Sequence, residues 1–270
     1  MTRIIQQHPI LAARSLPRFV LAVLVALLLA TSAADAALTT GACLAQKQTV
    51  WGDLRKCQAI ERAKGLKGKP TDLAKCQTKF QEKLTKITAK ATKALIPCRY
   101  GDNGDGTVTD YDTGLQWEQK TPDPPYPGAL PCFLSDEHCV NFTYTWGNLS
   151  GCPFTGCPNG TAFIDLLGHF NSCVNTSGAP VGGFAGHCDW RLPTIEELQT
   201  IVDKSVPGCG TGSPCIDPIF VPTVAGFYWS ATTGAALPNT AWLVNFYDGS
   251  VLGFYSKTFD FAVRAVRAGL

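Results

Sequence analysis

Four cysteines, Cys43, Cys57, Cys76 and Cys98, constrain the first third of this chain more tightly than any other feature. Cys43 and Cys57 are 14 residues apart, and Cys76 and Cys98 are 22 apart. Both gaps lie close to whole numbers of 3.6-residue turns, so each pair faces one side of a helical arm. Nested bridges, Cys43–Cys98 and Cys57–Cys76, would staple two antiparallel arms. The arms are unequal, so Cys98 must lie beyond the regular helix for the outer bridge to close. A bridge closing a loop of about 20 residues adds roughly 3 kcal/mol, help that a two-helix unit of this size needs.

Hydrophobic spacing supports the same hairpin. Leu73, Cys76, Phe80, Leu84, Ile87, Ala91 and Leu95 recur at three- and four-residue steps, which places them on one helical face. Thr71 and Asp72 are candidate caps. The other arm carries Val50, Leu54 and Cys57 at the same spacing with Trp51 beside them, the turn is Gly65 to Pro70, and Pro97 closes the second arm.

The segment before the hairpin reads as a secretory signal over residues 1–36. Arg3, Arg14 and Arg18 precede the apolar run Phe19–Ala30, and Ala34-Asp35-Ala36 supplies small residues for cleavage. The run is shorter than the roughly 20 residues that a spanning helix needs, and no later stretch is apolar enough to cross a membrane. All 12 cysteines follow this segment, an even number that suits an oxidising compartment, so the expected location is secreted or cell envelope, periplasmic or extracellular. Asn141, Asn148 and Asn175 head sequons that matter only in a host that glycosylates them.

Composition breaks near Tyr100. Residues 37–98 hold 13 basic and 4 acidic side chains, hence +9, whereas 99–270 hold 7 basic and 16 acidic, hence −9. The near-neutral total conceals two opposed halves. This predicts a basic, disulfide-stapled helical hairpin over 37–98 and a second domain over 99–270. In the latter, short strands with Gly and Pro punctuation alternate with two helices, one over TAFIDLLGHF and one opening at Thr194, where Glu197 completes a capping box. Phe163, Leu166, Leu167 and Phe170 form the buried face of the first, and Ile195, Leu198, Ile201 and Val202 that of the second. Asp248-Gly249 is a hairpin turn in a closing strand meander. The fold class is therefore α+β.

The acidic run at 101–117 admits a calcium loop with ligands Asn103, Asp105 and Asp112, but Gly101 stands where the first ligand belongs. Two turns, Asn103–Gly106 and Asp110–Gly114, flanking Thr107-Val108-Thr109 account for more of its residues. No cofactor other than this calcium ion is expected.

DNGDGTVTD, TGLQWE, TYTW, GHCDWRLPTIEEL, FYWSATT, AWLVNF and the final VRAVR, in this order, resemble the Lcl C-terminal domain family across about 100–270. That family is named after the end domain of a collagen-like bacterial surface adhesin. The resemblance implies a role in adhesion, with binding to sulfated polysaccharides. Its RLPT and YWS motifs are similar to those of the formylglycine-generating enzyme group, which implies a C-type-lectin-like architecture. The calcium and sugar motifs of true C-type lectins are absent, and nothing clearly matches the catalytic cysteine pair of the enzyme group.

The eight cysteines of the acidic half lack paired CxxC spacing, so local bridges are simpler than zinc or redox chemistry: Cys132–Cys139, Cys152–Cys157, Cys173–Cys188 and Cys209–Cys215. No two histidines have metal-ligand spacing, and no serine lies in a nucleophile elbow. Trp117, Trp146, Trp190 and Trp229 read as core residues. A glycan-binding patch, if one exists, falls on Trp242, Asn245, Tyr247 and Asp248. Arg191, Arg264 and Arg267 read as internal partners of Asp189, Glu196 and Glu197. Lys64, Lys67, Lys69, Lys75, Lys79, Lys83, Lys86 and Lys90 form the candidate polyanion surface, without the features of specific nucleic-acid recognition. A solvated face, docking on the acidic half, and a spacer are the competing readings of that charge.

The sequence thus points to a secreted, non-enzymatic binding or adhesion protein recognising extracellular glycan or a polyanionic surface. The alternatives are a thiol enzyme of the formylglycine-generating kind, which needs a free reactive cysteine, and a purely structural envelope protein, which needs a self-docked hairpin.

Overall fold

A computed structural model describes residues 38–123, 136–147, 157–174 and 177–270. The predicted signal segment, Cys132, Cys152 and the sequons at Asn148 and Asn175 lie outside these residues. Among the described residues no helix is long and apolar enough to cross a membrane. The chain is α+β, and Thr40–Leu270 forms one compact unit with the hairpin included.

Helices α1 (Thr40–Gly65) and α2 (Leu73–Lys93) are the arms of the hairpin. Val50 and Leu54 of α1 meet Cys76, Phe80 and Leu84 of α2, and Trp51 packs on Phe80 with ring centroids 4.4 Å apart. Asp72 caps α2 by accepting from the Lys75 amide at 2.9 Å. Cys43 is bonded to Cys98 and Cys57 to Cys76, each with Cα atoms 5.8 Å apart. The predicted stripe is shorter than its spacing implied. Leu73 is 43% exposed, and Leu95, past the end of α2, has φ 55° and is 91% exposed. Leu95 takes the left-handed conformation that ends the helix, and this turns its side chain away from the Ala91 face.

Antiparallel strands β1 (Tyr100–Asp102), β2 (Thr107–Asp110), β3 (Leu115–Glu118) and β9 (Val266–Ala268) form one sheet in the order β1-β2-β3-β9, so the last strand closes on the start of the region. β4 (Tyr144–Thr145) pairs with β8 (Asp260–Phe261). A meander of β5 (Phe227–Thr233), β6 (Thr240–Asn245) and β7 (Ser250–Ser256) forms the third sheet. The helix expected over TAFIDLLGHF begins as a π-turn, Ala162–Leu166, before α3 (Leu167–Phe170). Its wider turn buries Ala162 with Leu166, Leu167 and Phe170, while Phe163 stays partly exposed against Trp146. Helix α4 (Ile195–Thr200) has the capping box of Thr194 and Glu197.

Two cores lie on either side of the meander. Ala241 and Leu243 join Tyr144, Trp146, Trp190 and Trp229 on one side, and Val244 and Phe246 join Val108, Trp117, Leu198 and Phe220 on the other. Strand β6 is thus buried on both faces, which explains why its residues are apolar without strict alternation.

Candidate functional site

In α2 the buried residues Cys76, Phe80, Leu84 and Ala91, with half-buried Ile87, mark the inward face. Lys75, Lys79, Lys83, Lys86 and Lys90 each stand one residue ahead of them. A step of one residue turns about 100°, so the lysines form a second stripe along the shoulder of the core stripe. Lys64 closes α1 in its last turn, and Lys67 and Lys69 stand on the inter-helix turn. All eight of these lysines are exposed. Lys64 pairs with Glu61 at 2.5 Å, and Lys83 reaches across to Asp53 of the other arm at 2.7 Å. These lysines hold the Glu61 and Asp53 carboxyls below the usual carboxylate range. Among the described residues no carboxylate pairs with Lys67, Lys69, Lys75, Lys79, Lys86 or Lys90.

The hairpin is fastened to the α+β region through different groups. Lys47, 1% exposed, pairs with Asp112. The Trp51 indole N–H donates to the Tyr111 carbonyl at 2.9 Å. The Trp51 ring lies on Gly114, whose φ is 76° and where a Cβ would stand 2.5 Å from the ring. Both the conformation and the contact require glycine there. Beyond Trp51 the arm continues to Gly65, about 21 Å of helix at 1.5 Å per residue. Between the arms on this outer stretch lies a groove of about 350 Å³. Val50, Leu54, Phe80 and the Cys57–Cys76 bridge line its floor, with Lys56, Lys79 and Ile60 among the residues at its edge.

The proposed calcium ligands are engaged separately. The Asn103 amide donates to Thr107 and Thr109, Asp105 accepts from the Thr107 amide and hydroxyl, and Asp112 faces Lys47. With Gly104 and Gly106 at φ 73° and 84°, the segment is built as turns.

The glycan patch predicted on β6 is divided by the pleat. Trp242 packs with the core of Val244 and Phe246, so Asn245, one step out of phase with that set, lies on the opposite face. Asn245 accepts from the Tyr247 amide at 3.0 Å, and Asp248 accepts from the Ser250 amide and hydroxyl. These bonds close the turn before Gly249. Tyr247 is 44% exposed. The sequence reading missed Phe254, which is 58% exposed, has φ 69°, and has its ring 6.0 Å from that of Trp242. No spacing rule signals it, because the irregular β6–β7 register that exposes it is a pairing feature.

The arginines divide as well. Arg191 grips Glu197 through two bonds of 2.7 Å, and Arg267 holds Asp189 at 2.7 Å. Arg264, expected to meet an acid, is fully buried and donates instead to the carbonyls of Glu118 and Phe220 and to the Thr223 hydroxyl. Glu196 pairs with none of the three. Two buried acids escaped the sequence reading: Asp110, paired with Arg99 at 2.8 Å, and Glu118, which accepts from Lys120 at 2.7 Å and faces His138 at 3.1 Å. Burial pushes the Glu118 carboxyl up, but Lys120 and His138 outweigh burial and hold it below the usual range. His138 is itself stacked on Phe170 at 4.4 Å.

Cys173 is bonded to Cys188 and Cys209 to Cys215. Cys139 and Cys157 are also disulfide-bonded, and their predicted partners lie outside the described residues. Among the described residues no cysteine is free. Lys257, 3% exposed, lies 3.6 Å from the Trp146 ring centroid, and burial pushes its ammonium down to about 8. Its amine donates to the Thr233 hydroxyl at 2.9 Å.

The family described as the Lcl C-terminal domain matches residues 106–267. The chain belongs to that family. The matched stretch runs from the turn before β2 into β9 and leaves the hairpin outside. Comparison with curated proteins and with solved structures finds no match.

Proposed function

We propose that this Lcl C-terminal family member is a secreted or envelope adhesion module that binds a polyanionic surface, such as a sulfated extracellular glycan, through its lysine hairpin. Family membership supports a surface-associated, adhesin-like role, and we extend it to a C-type-lectin-like architecture for the α+β region. One observation carries the reading. The hairpin docks through Lys47 and Trp51, so its lysine stripe is left facing solvent rather than neutralised by the acidic half. The hairpin is docked, as a purely structural protein would also require, but the docking uses Lys47 and Trp51 and leaves the stripe out. A row of exposed cations on a rigid, disulfide-stapled arm attracts a polyanion over a distance set by ionic strength and releases the counterions condensed on it. Secretion through the predicted signal and the disulfides are in keeping with this role.

The test is binding of the whole protein to dextran sulfate, with neutral dextran as control, across a salt series. Binding should weaken steeply with salt, and replacing Lys75, Lys79, Lys86 and Lys90 by Gln should reduce the logarithmic salt slope by roughly one per lysine removed. Equal binding to neutral dextran, or a slope unchanged by the four substitutions, would sink the proposal.

A further inference from the structure

We infer that the groove between the hairpin arms binds the alkyl chain of a single-chain anionic amphiphile, whose charged head is held by Lys56 and Lys79. This rests on the hairpin as the binding element and names the class of ligand for which it is shaped.

Two helices bury one seam between them and leave its outer edge open unless a third element covers it. Here the open edge is a groove of about 350 Å³, within the size range of small-molecule sites. Its floor is recessed: Val50, Leu54, Cys76 and Phe80 are each below 9% exposure. Ile60, 51% exposed at the edge, offers apolar surface to a chain as it enters.

The charges at the edge select the head group. The acids that line the groove are already occupied, Asp53 by Lys83 and Glu61 by Lys64 and the Asp72 amide. Lys56 and Lys79 remain exposed and without a carboxylate partner among the described residues. The groove is thus apolar below and cationic above. The same charges disfavour a second copy of this chain, because two groove edges brought together would set lysine against lysine. An anion on a narrow apolar chain satisfies both the floor and the edge.

The experiment uses the whole protein and three probes: laurate, with chain and anion; dodecyl maltoside, with chain and no anion; and dextran sulfate, with anion and no chain. Calorimetry gives affinity, and the Ile60 methyl resonance reports the place. Laurate should bind one to one, shift that methyl, and bind at least tenfold more tightly than dodecyl maltoside. Ile60→Asn, on an exposed position, should weaken laurate about tenfold and leave dextran sulfate within twofold. Replacing both Lys56 and Lys79 by Gln should weaken both anions. Laurate that does not bind, or that is indifferent to Ile60→Asn, overturns the inference while dextran sulfate binding would leave the broader proposal standing. Equal affinity for dodecyl maltoside overturns the anionic head. Tighter binding of an acidic amphipathic helical peptide, or self-association that Ile60→Asn abolishes, overturns the choice of a lipid.

Discussion

The hairpin and the α+β region solve the problem of burial in opposite ways. The hairpin has one seam, local contacts and two disulfides, and its lysine stripe is exposed. The α+β region has two cores on either side of one meander, closed by strands far apart in sequence, and it takes charged groups inside. The difference teaches where function and stability reside. In the hairpin, cross-links replace core volume and the surface is free for a partner. In the α+β region, buried polar groups hold loops in place, so their loss should be felt as unfolding.

Arg264→Ala should break this contrast most severely. It strips donors from the carbonyls of Glu118 and Phe220 at full burial, at a cost of about 3 kcal/mol or more. Thermal unfolding should show the α+β region destabilised while the helical signal of the hairpin persists on intact disulfides. Simultaneous loss of both would show that the two regions unfold as one. Replacing Cys57 and Cys76 by Ser opens a loop of 19 residues and should destabilise the hairpin by roughly 3 kcal/mol. Amide exchange should rise throughout α1 and α2 and stay unchanged in β5 to β7.

Gly114→Ala tests the joint itself. The Cβ would strike the Trp51 ring at a left-handed position, so the hairpin should loosen at its base with a cost of about 1 to 2 kcal/mol. A changed Trp51 fluorescence and faster exchange in the first half of α1 would report it. The smallest effect is expected from pH. Burial raises the Glu197 carboxyl, but the bonds from Arg191 and the Thr194 amide outweigh this and depress it below 4.5. The pair therefore contributes stability that is present above pH 4.5 and is lost as pH falls through the folded value. In Glu197→Gln the part of the acid destabilisation below pH 4.5 that comes from this group should vanish, which a pH series of melting temperatures will check.

Much of the hairpin was legible because it is local. Three- and four-residue steps and cysteine gaps near whole turns report directly on one helical face, and the capping box at Thr194 depends on four consecutive residues. The candidate site was half legible. The lysine stripe follows from helical phase, but its freedom depends on which residues dock the hairpin, and Lys47 with Trp51 could not be singled out among fourteen lysines and six tryptophans. The geometry around Trp242 was less legible for a related reason. Alternation sets Asn245 on the face opposite Trp242, but nothing in the strand indicated that both of its faces were buried.

The sequence by itself determined the helical arms, their charge, the turn chemistry at Asn103–Gly106 and membership in the Lcl C-terminal domain family. These are properties of residues near one another along the chain, where spacing fixes direction. Only the tertiary structure decided that Arg264 bonds carbonyls rather than carboxylates, that Glu118 is buried, and that the stripe lysines are left exposed. Each of these depends on partners more than 40 positions away or on which of two faces becomes covered, and burial, unlike helical phase, is set by the whole chain at once.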